Sequence, residues 1–144
     1  MSRALSRLSR ADSLQLLATV PFGRLVFTLR ALPAVRLMNF VLVGDLIVIR
    51  TAANSAVAQR AAGSVVAFQA DQADVVTSVG WSVTVTGRAE RVTSSGEISR
   101  YESLGLLPWP QLGSEVFLTI RAEAVDGQRV GDHSVQAIPA PPVA

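Results

Sequence analysis

The sequence predicts a mainly β fold with short helices, a six-stranded antiparallel barrel. Three observations carry this. Six segments hold β-branched and aromatic residues in strand-length runs. The helix-favouring stretches are short and sit at the margins, where a doubly wound α/β fold would alternate them with strands. No G-x-G-x-x-G phosphate-binding turn is present.

Ser9 with Asp12 three residues on resembles a capping box, and Leu14, Leu16, Leu17 and Val20 follow, so a helix is predicted over 10–19. Pro21 and Gly23 end it. Gly23 to Leu29 reads as the first strand, Arg30 to Pro33 as a turn, and Ala34 to Val43 as the second strand. Gly44-Asp45 is a hairpin signal that leads into a third strand, Leu46 to Thr51. Ala56 to Ala62 is Ala-rich and helix-favouring, and Gly63 stops it. Ser64 to Asp71 is the fourth strand, 72–79 a loop, and Trp81 to Val92 a long alternating fifth strand. A helix over 95–104 follows, capped by Ser94 or Ser95. Pro108 and Pro110 keep Leu106 to Gly113 irregular. Glu115 to Val125 is the sixth strand. The domain therefore spans 10–130, between a basic arm over 1–9 and a tail over 131–144 that is Pro-rich from 137 on.

At 144 residues the chain is one domain. It has no Cys and one His, His133, and all 13 of its basic residues are Arg. These absences exclude a disulfide framework, a thiolate nucleophile, a Schiff-base lysine and a two-histidine metal site within one chain. A Ser–His–Asp triad would have to use His133, beside the Pro-rich tail. The net charge of +2 does not imply a nucleic-acid partner, because Arg3, Arg7 and Arg10 lie in or next to the arm. The pI of about 10.4 reflects bases that stay protonated where lysine would not. Hydrophobic residues make up 49% of the chain, yet no run approaches the ~18 apolar residues of a membrane span. The arm lacks the apolar core of a secretory signal, so a cytoplasmic chain is expected. The apolar surplus needs a second sink beyond the core, and a subunit interface provides one.

Three segments are candidates for function. In Ile49 to Ser55 a strand ends in Arg50 and Thr51, and Ser55 opens a helix. Free N–H groups, two hydroxyls, the Arg50 fork and Arg60 one turn on would suit a phosphate. The alternative is that Ser55 only caps the helix and Arg50 faces solvent. In Arg36-Leu37-Met38-Asn39-Phe40, alternation puts Arg36, Met38 and Phe40 on one face and Leu37 and Asn39 on the other. An amide there meets either a ligand's ring edge or a structural partner. Trp81, with Ser82, suits a ring-shaped ligand, a subunit interface or plain core packing. Trp109 between two prolines reads as a loop anchor.

Five motifs stand in one order: Gly23-Arg24-Leu25-Val26-Phe27-Thr28, Arg36 to Phe40, Ile49-Arg50-Thr51 to Ser55-Ala56, Gly80 to Gly87, and Leu106 to Trp109. Together they resemble the pyridoxamine 5′-phosphate oxidase-like, FMN-binding split β-barrel family in its short actinobacterial form, over about residues 9–130. The resemblance implies a six-stranded antiparallel split β-barrel that forms a homodimer with two flavin sites at the subunit interface. The phosphate would lie at Arg50, Thr51, Ser55 and the helix start, and the ring along Arg36, Leu37, Met38 and Asn39. Trp81 and Ser82 would come from the partner chain. Ala56 stands where the family has Lys, and Arg60 is the substitute charge. The implied activity is a flavin-dependent oxidoreductase acting on a small molecule, with FMN or the deazaflavin F420 as cofactor. A dimer that only carries or senses flavin is the alternative.

Overall fold

The computed structural model describes residues 4–107 and 114–131. Pro108 to Gly113, with the expected Trp109 anchor, lie outside the described residues, as do His133 and most of the tail.

Strand β1 (Ala4–Leu8) leads through Ser9 into helix α1 (Arg10–Leu17). The Ser9 hydroxyl accepts from the Asp12 amide at 3.1 Å, as the capping box predicts. Ser9→Ala should lower stability by about 1 kcal/mol, read as a midpoint shift in urea unfolding. The expected basic arm is corrected here. Ala4 to Leu8 pair with a later strand from Ala4↔Gly131 to Leu8↔Gly127, so this stretch belongs to the sheet.

Strands β2 (Phe22–Leu29) and β3 (Leu32–Asn39) form a hairpin. Its two-residue turn holds Arg30 and Ala31 at φ of 53° and 63°, the twist that a tight hairpin requires. After Phe40 come β4 (Val41–Val43) and β5 (Leu46–Ala52), joined through Gly44 at φ 62°. The expected Ala-rich helix is a five-residue π-helical turn, Val57–Ala61. Then follow β6 (Val65–Asp74), β7 (Val79–Arg91), helix α2 (Ser95–Glu102), β8 (Glu115–Arg121) and β9 (Ala124–Gly131).

The strand order is β3-β2-β6-β7-β8-β5-β4, with β9 on β7 and β1 outside β9. The two end strands, β3 and β4, are separated in sequence only by Phe40. The sheet therefore curls back on itself, and hydrogen bonding breaks at that seam, which makes a split barrel. Strand β7 spans both halves: Gly80 to Thr86 pair with β9, and Ala89 to Arg91 pair with β8. Gly87 sits where partners change, and a Cβ there would overlap the Arg121 carbonyl oxygen.

All six predicted strands are present, and nine form among the described residues. The expected strand 34–43 breaks at Phe40, and 115–125 breaks at Ala122-Glu123, where the chain turns past Gly87. The expected loop 72–79 shrinks to a turn, because β6 and β7 extend into it. Leu25, Phe27, Met38, Phe40, Ile47, Ile49, Phe68, Trp81, Val83 and Leu118 fill the barrel. A smaller cluster of Val48, Val92, Tyr101, Leu106 and Phe117 lies on the far side of β5. No helix among the described residues is long and apolar enough to cross a membrane.

Candidate functional site

Directly opposed residues of antiparallel strands point to the same side of a sheet. Arg36 lies opposite fully buried Leu25, so it shares the inner side with Met38. It reaches the barrel mouth, its guanidinium 5.8 Å from the centre of the Phe27 ring. Met38 is buried in the core, so its side chain is closed to a ligand. Leu37, 45% exposed, and Asn39 point outward. The outer side continues from Leu37 through Arg24 and Gln69 to Thr84, and Ser82 lies on it two residues from Thr84.

The Asn39 amide is held at one end. Nδ2 donates to the Leu107 carbonyl at 3.3 Å. Oδ1 is buried and finds no donor among the described residues. An unpaired buried acceptor costs about 1–3 kcal/mol.

Arg50 and Thr51 are neighbours on β5 and so face opposite ways. Thr51 shares the barrel side with Ile47 and Ile49 and is buried. Its hydroxyl lies 2.9 Å from the Ser55 hydroxyl, which also accepts from the Ala58 amide at 3.0 Å. Ser55 therefore caps the π-helical turn. That turn is too short to supply the helix dipole that the sequence suggested.

Arg50 shares its side with Val48 and packs on the Phe117 ring, 5.0 Å from its centre. Its Nε lies 2.6 Å from Glu115 Oε2, and Nη1 donates to the Leu106 carbonyl at 3.2 Å. Asn39 and Arg50 are thus tied to successive carbonyls of one segment, Leu106-Leu107. This places the two on one surface.

Ala56 packs against the core edge, and Arg60 is exposed, with only its carbonyl engaged, by the Ser64 hydroxyl. No hydrogen bond or ion pair among the described residues draws Arg60 toward Arg50. Trp81 is buried, with Nε1 finding no acceptor among the described residues. Ser82 Oγ accepts from Gln69 at 3.2 Å and borders an open cleft of about 480 Å³ with Asp71, Asp74, Ser78 and Gln128. Within one chain, no hydrogen bond or ion pair among the described residues joins this cleft to the Asn39–Arg50 surface.

Sequence reasoning missed Glu115 and the two leucine carbonyls. Glu115 opens β8 opposite Ala52, a pairing set by the register of distant strands. Backbone carbonyls leave no mark in a sequence at all.

Comparison with known proteins adds to this geometry. The family model described as pyridoxamine 5′-phosphate oxidase matches residues 9–129. An uncharacterized protein of Mycobacterium tuberculosis is 40% identical over 134 residues, covering 90% of this chain and 88% of its own length. Among solved structures, the FAD-binding protein of Mycobacterium smegmatis superposes with a TM-score of 0.75 at 29% identity, over 86% of this chain and 98% of that one. A conserved protein of unknown function from Corynebacterium diphtheriae superposes with a TM-score of 0.72 at 30% identity, over 86% and 96%. The chain belongs to the pyridoxamine 5′-phosphate oxidase family and has its split-barrel fold.

Proposed function

We propose that the chain binds a flavin on the surface shared by Asn39 and Arg50, and uses it in oxidoreduction of a small molecule. The observation that carries this is the Asn39 amide. Its Nδ2 is anchored to a carbonyl, and its Oδ1 is buried and unpaired, the partner that the ring-edge N–H of a flavin needs. Arg50 then attends the phosphate end. The FAD-binding relative supports a flavin. FMN and the deazaflavin F420 are the other candidates, since the ring edge facing Asn39 is common to them. A bound flavin supplies hydride or electron transfer, and the protein supplies position and electrostatics.

The chain works as a homodimer in this reading. Trp81 is held in the core of its own barrel, while Ser82 on the outer side stands apart from Asn39 and Arg50 within one chain, and a second copy would bring Ser82 to them. The outer side of the β2–β3 hairpin supplies apolar surface for it, with Phe22, Val35 and Leu37 exposed beside Asn39.

A second reading is favoured by Ala56 and by the Glu115 contact, which leave little free positive charge. In it the dimer holds flavin loosely as a carrier or sensor. Titrating the protein with FMN, FAD and F420 while following absorbance over roughly 350–500 nm tests binding. A saturable band shift with at least one of the three is expected. No spectral change with any of them overturns the proposal. Steady-state turnover of the loaded protein with a nicotinamide donor separates an enzyme from a carrier.

A further inference from the structure

We infer that Glu115 selects the kind of phosphate this surface accepts, favouring a singly charged phosphodiester over a doubly charged phosphomonoester. The inference rests on the flavin reading above and deepens it.

An arginine offers a phosphate two bidentate edges, one through Nε and Nη2, the other through Nη1 and Nη2. On Arg50 both edges are broken. The Glu115 carboxylate lies 2.6 Å from the buried Nε as an ion pair without hydrogen-bond geometry and blocks that edge, and Nη1 donates to the Leu106 carbonyl at 3.2 Å. The Phe117 ring 5.0 Å away holds the guanidinium plane in this arrangement. Nη2 alone, which has no partner among the described residues, is left for a ligand.

The local charge points the same way. The Arg50 and Glu115 side chains are only 25% and 22% exposed, so each feels the other with little screening, and the pair is formally neutral. Thr51 and Ser55 are uncharged and already paired with each other. Ala56 adds no cation, and Arg60 points to solvent. A phosphate reaching Nη2 therefore meets a guanidinium whose charge the Glu115 carboxylate already balances. The carboxylate's repulsion of a phosphate scales with the charge on the ligand. A phosphomonoester carries nearly two negative charges at neutral pH, since its second ionisation lies near pH 6. A diester phosphate carries one. The site is thus built against FMN and for a flavin whose phosphate is esterified twice.

The probes are riboflavin, FMN and riboflavin cyclic phosphate, which share ring and chain and differ in phosphate charge. Dissociation constants come from quenching of flavin fluorescence. The wild-type chain should bind the cyclic phosphate about tenfold more tightly than FMN. Glu115→Gln keeps the side chain's shape, and it should shift that ratio roughly tenfold toward FMN. Glu115→Ser removes the same charge and should shift the ratio the same way. Wild-type preference for FMN, or a ratio that neither variant moves while riboflavin still binds, overturns the role of Glu115 alone. Absence of quenching with all three probes overturns the flavin reading and this inference with it.

Discussion

Gly87→Ala should cost about 2–3 kcal/mol of stability, a fall in Tm of roughly 8 °C. The reason lies in how one long strand serves two halves of the barrel. At Gly87, β7 exchanges β9 for β8, and the corner joining those two strands presses against it. A new Cβ would overlap the Arg121 carbonyl oxygen. That is a backbone atom between two paired strands, so relief requires the whole corner to move. Gly96→Ala is the control. Gly96 lies in the first turn of α2 with no neighbour nearer than the Ser94 hydroxyl at 3.8 Å, so alanine should be neutral or stabilise by up to about 1 kcal/mol. Thermal unfolding of the two variants beside the wild type checks both. A Gly87→Ala protein as stable as Gly96→Ala would contradict the packing described here.

Asn39→Leu should split stability from function. Leucine removes an acceptor that is buried and unpaired, together with a long 3.3 Å hydrogen bond to Leu107. Removing an unsatisfied group relieves its desolvation cost, so stability should stay level or rise slightly. Flavin affinity should fall by a factor of roughly 5–150, the equivalent of about 1–3 kcal/mol for a lost hydrogen bond in a buried setting. Unfolding midpoints and flavin titration on the same preparations give the two readouts. A matched loss of both would assign Asn39 to the fold and not to a ligand.

Much of the fold was legible because its signals are local. Ser9 and Asp12 mark a helix start by hydrogen-bonding chemistry three residues apart. Gly44-Asp45 marks a hairpin because the turn needs a left-handed residue. Other elements depend on partners far along the chain. β9 reads AVDGQRVG, with Asp and Gly inside and no clear alternation, and it is a strand because β7 and β1 flank it. β1 hides in an arginine-bearing arm for the same reason. The run from Glu115 to Val125 looks continuous, and only the approach of Gly87 explains its corner. The site divides likewise. The Thr51–Ser55 pair follows from spacing across one short loop. The Arg50 contacts do not, since Glu115 and Leu106 come from remote segments, and they turn a free phosphate fork into a neutral, half-occupied one. Alternation along β5 also sends Arg50 and Thr51 to opposite sides, so the motif's letters are closer in sequence than their side chains are in space.

A crystal structure of the protein soaked with the flavin that binds most tightly tests the central claim most directly. The account predicts the ring-edge N–H of the flavin within hydrogen-bond distance of Asn39 Oδ1. It also predicts the phosphate at Arg50, with Ser82 of a second copy beside the pocket. Flavin seated instead in the cleft between Asp71 and Ser82 of a single chain, with Asn39 Oδ1 left unpaired, would contradict it.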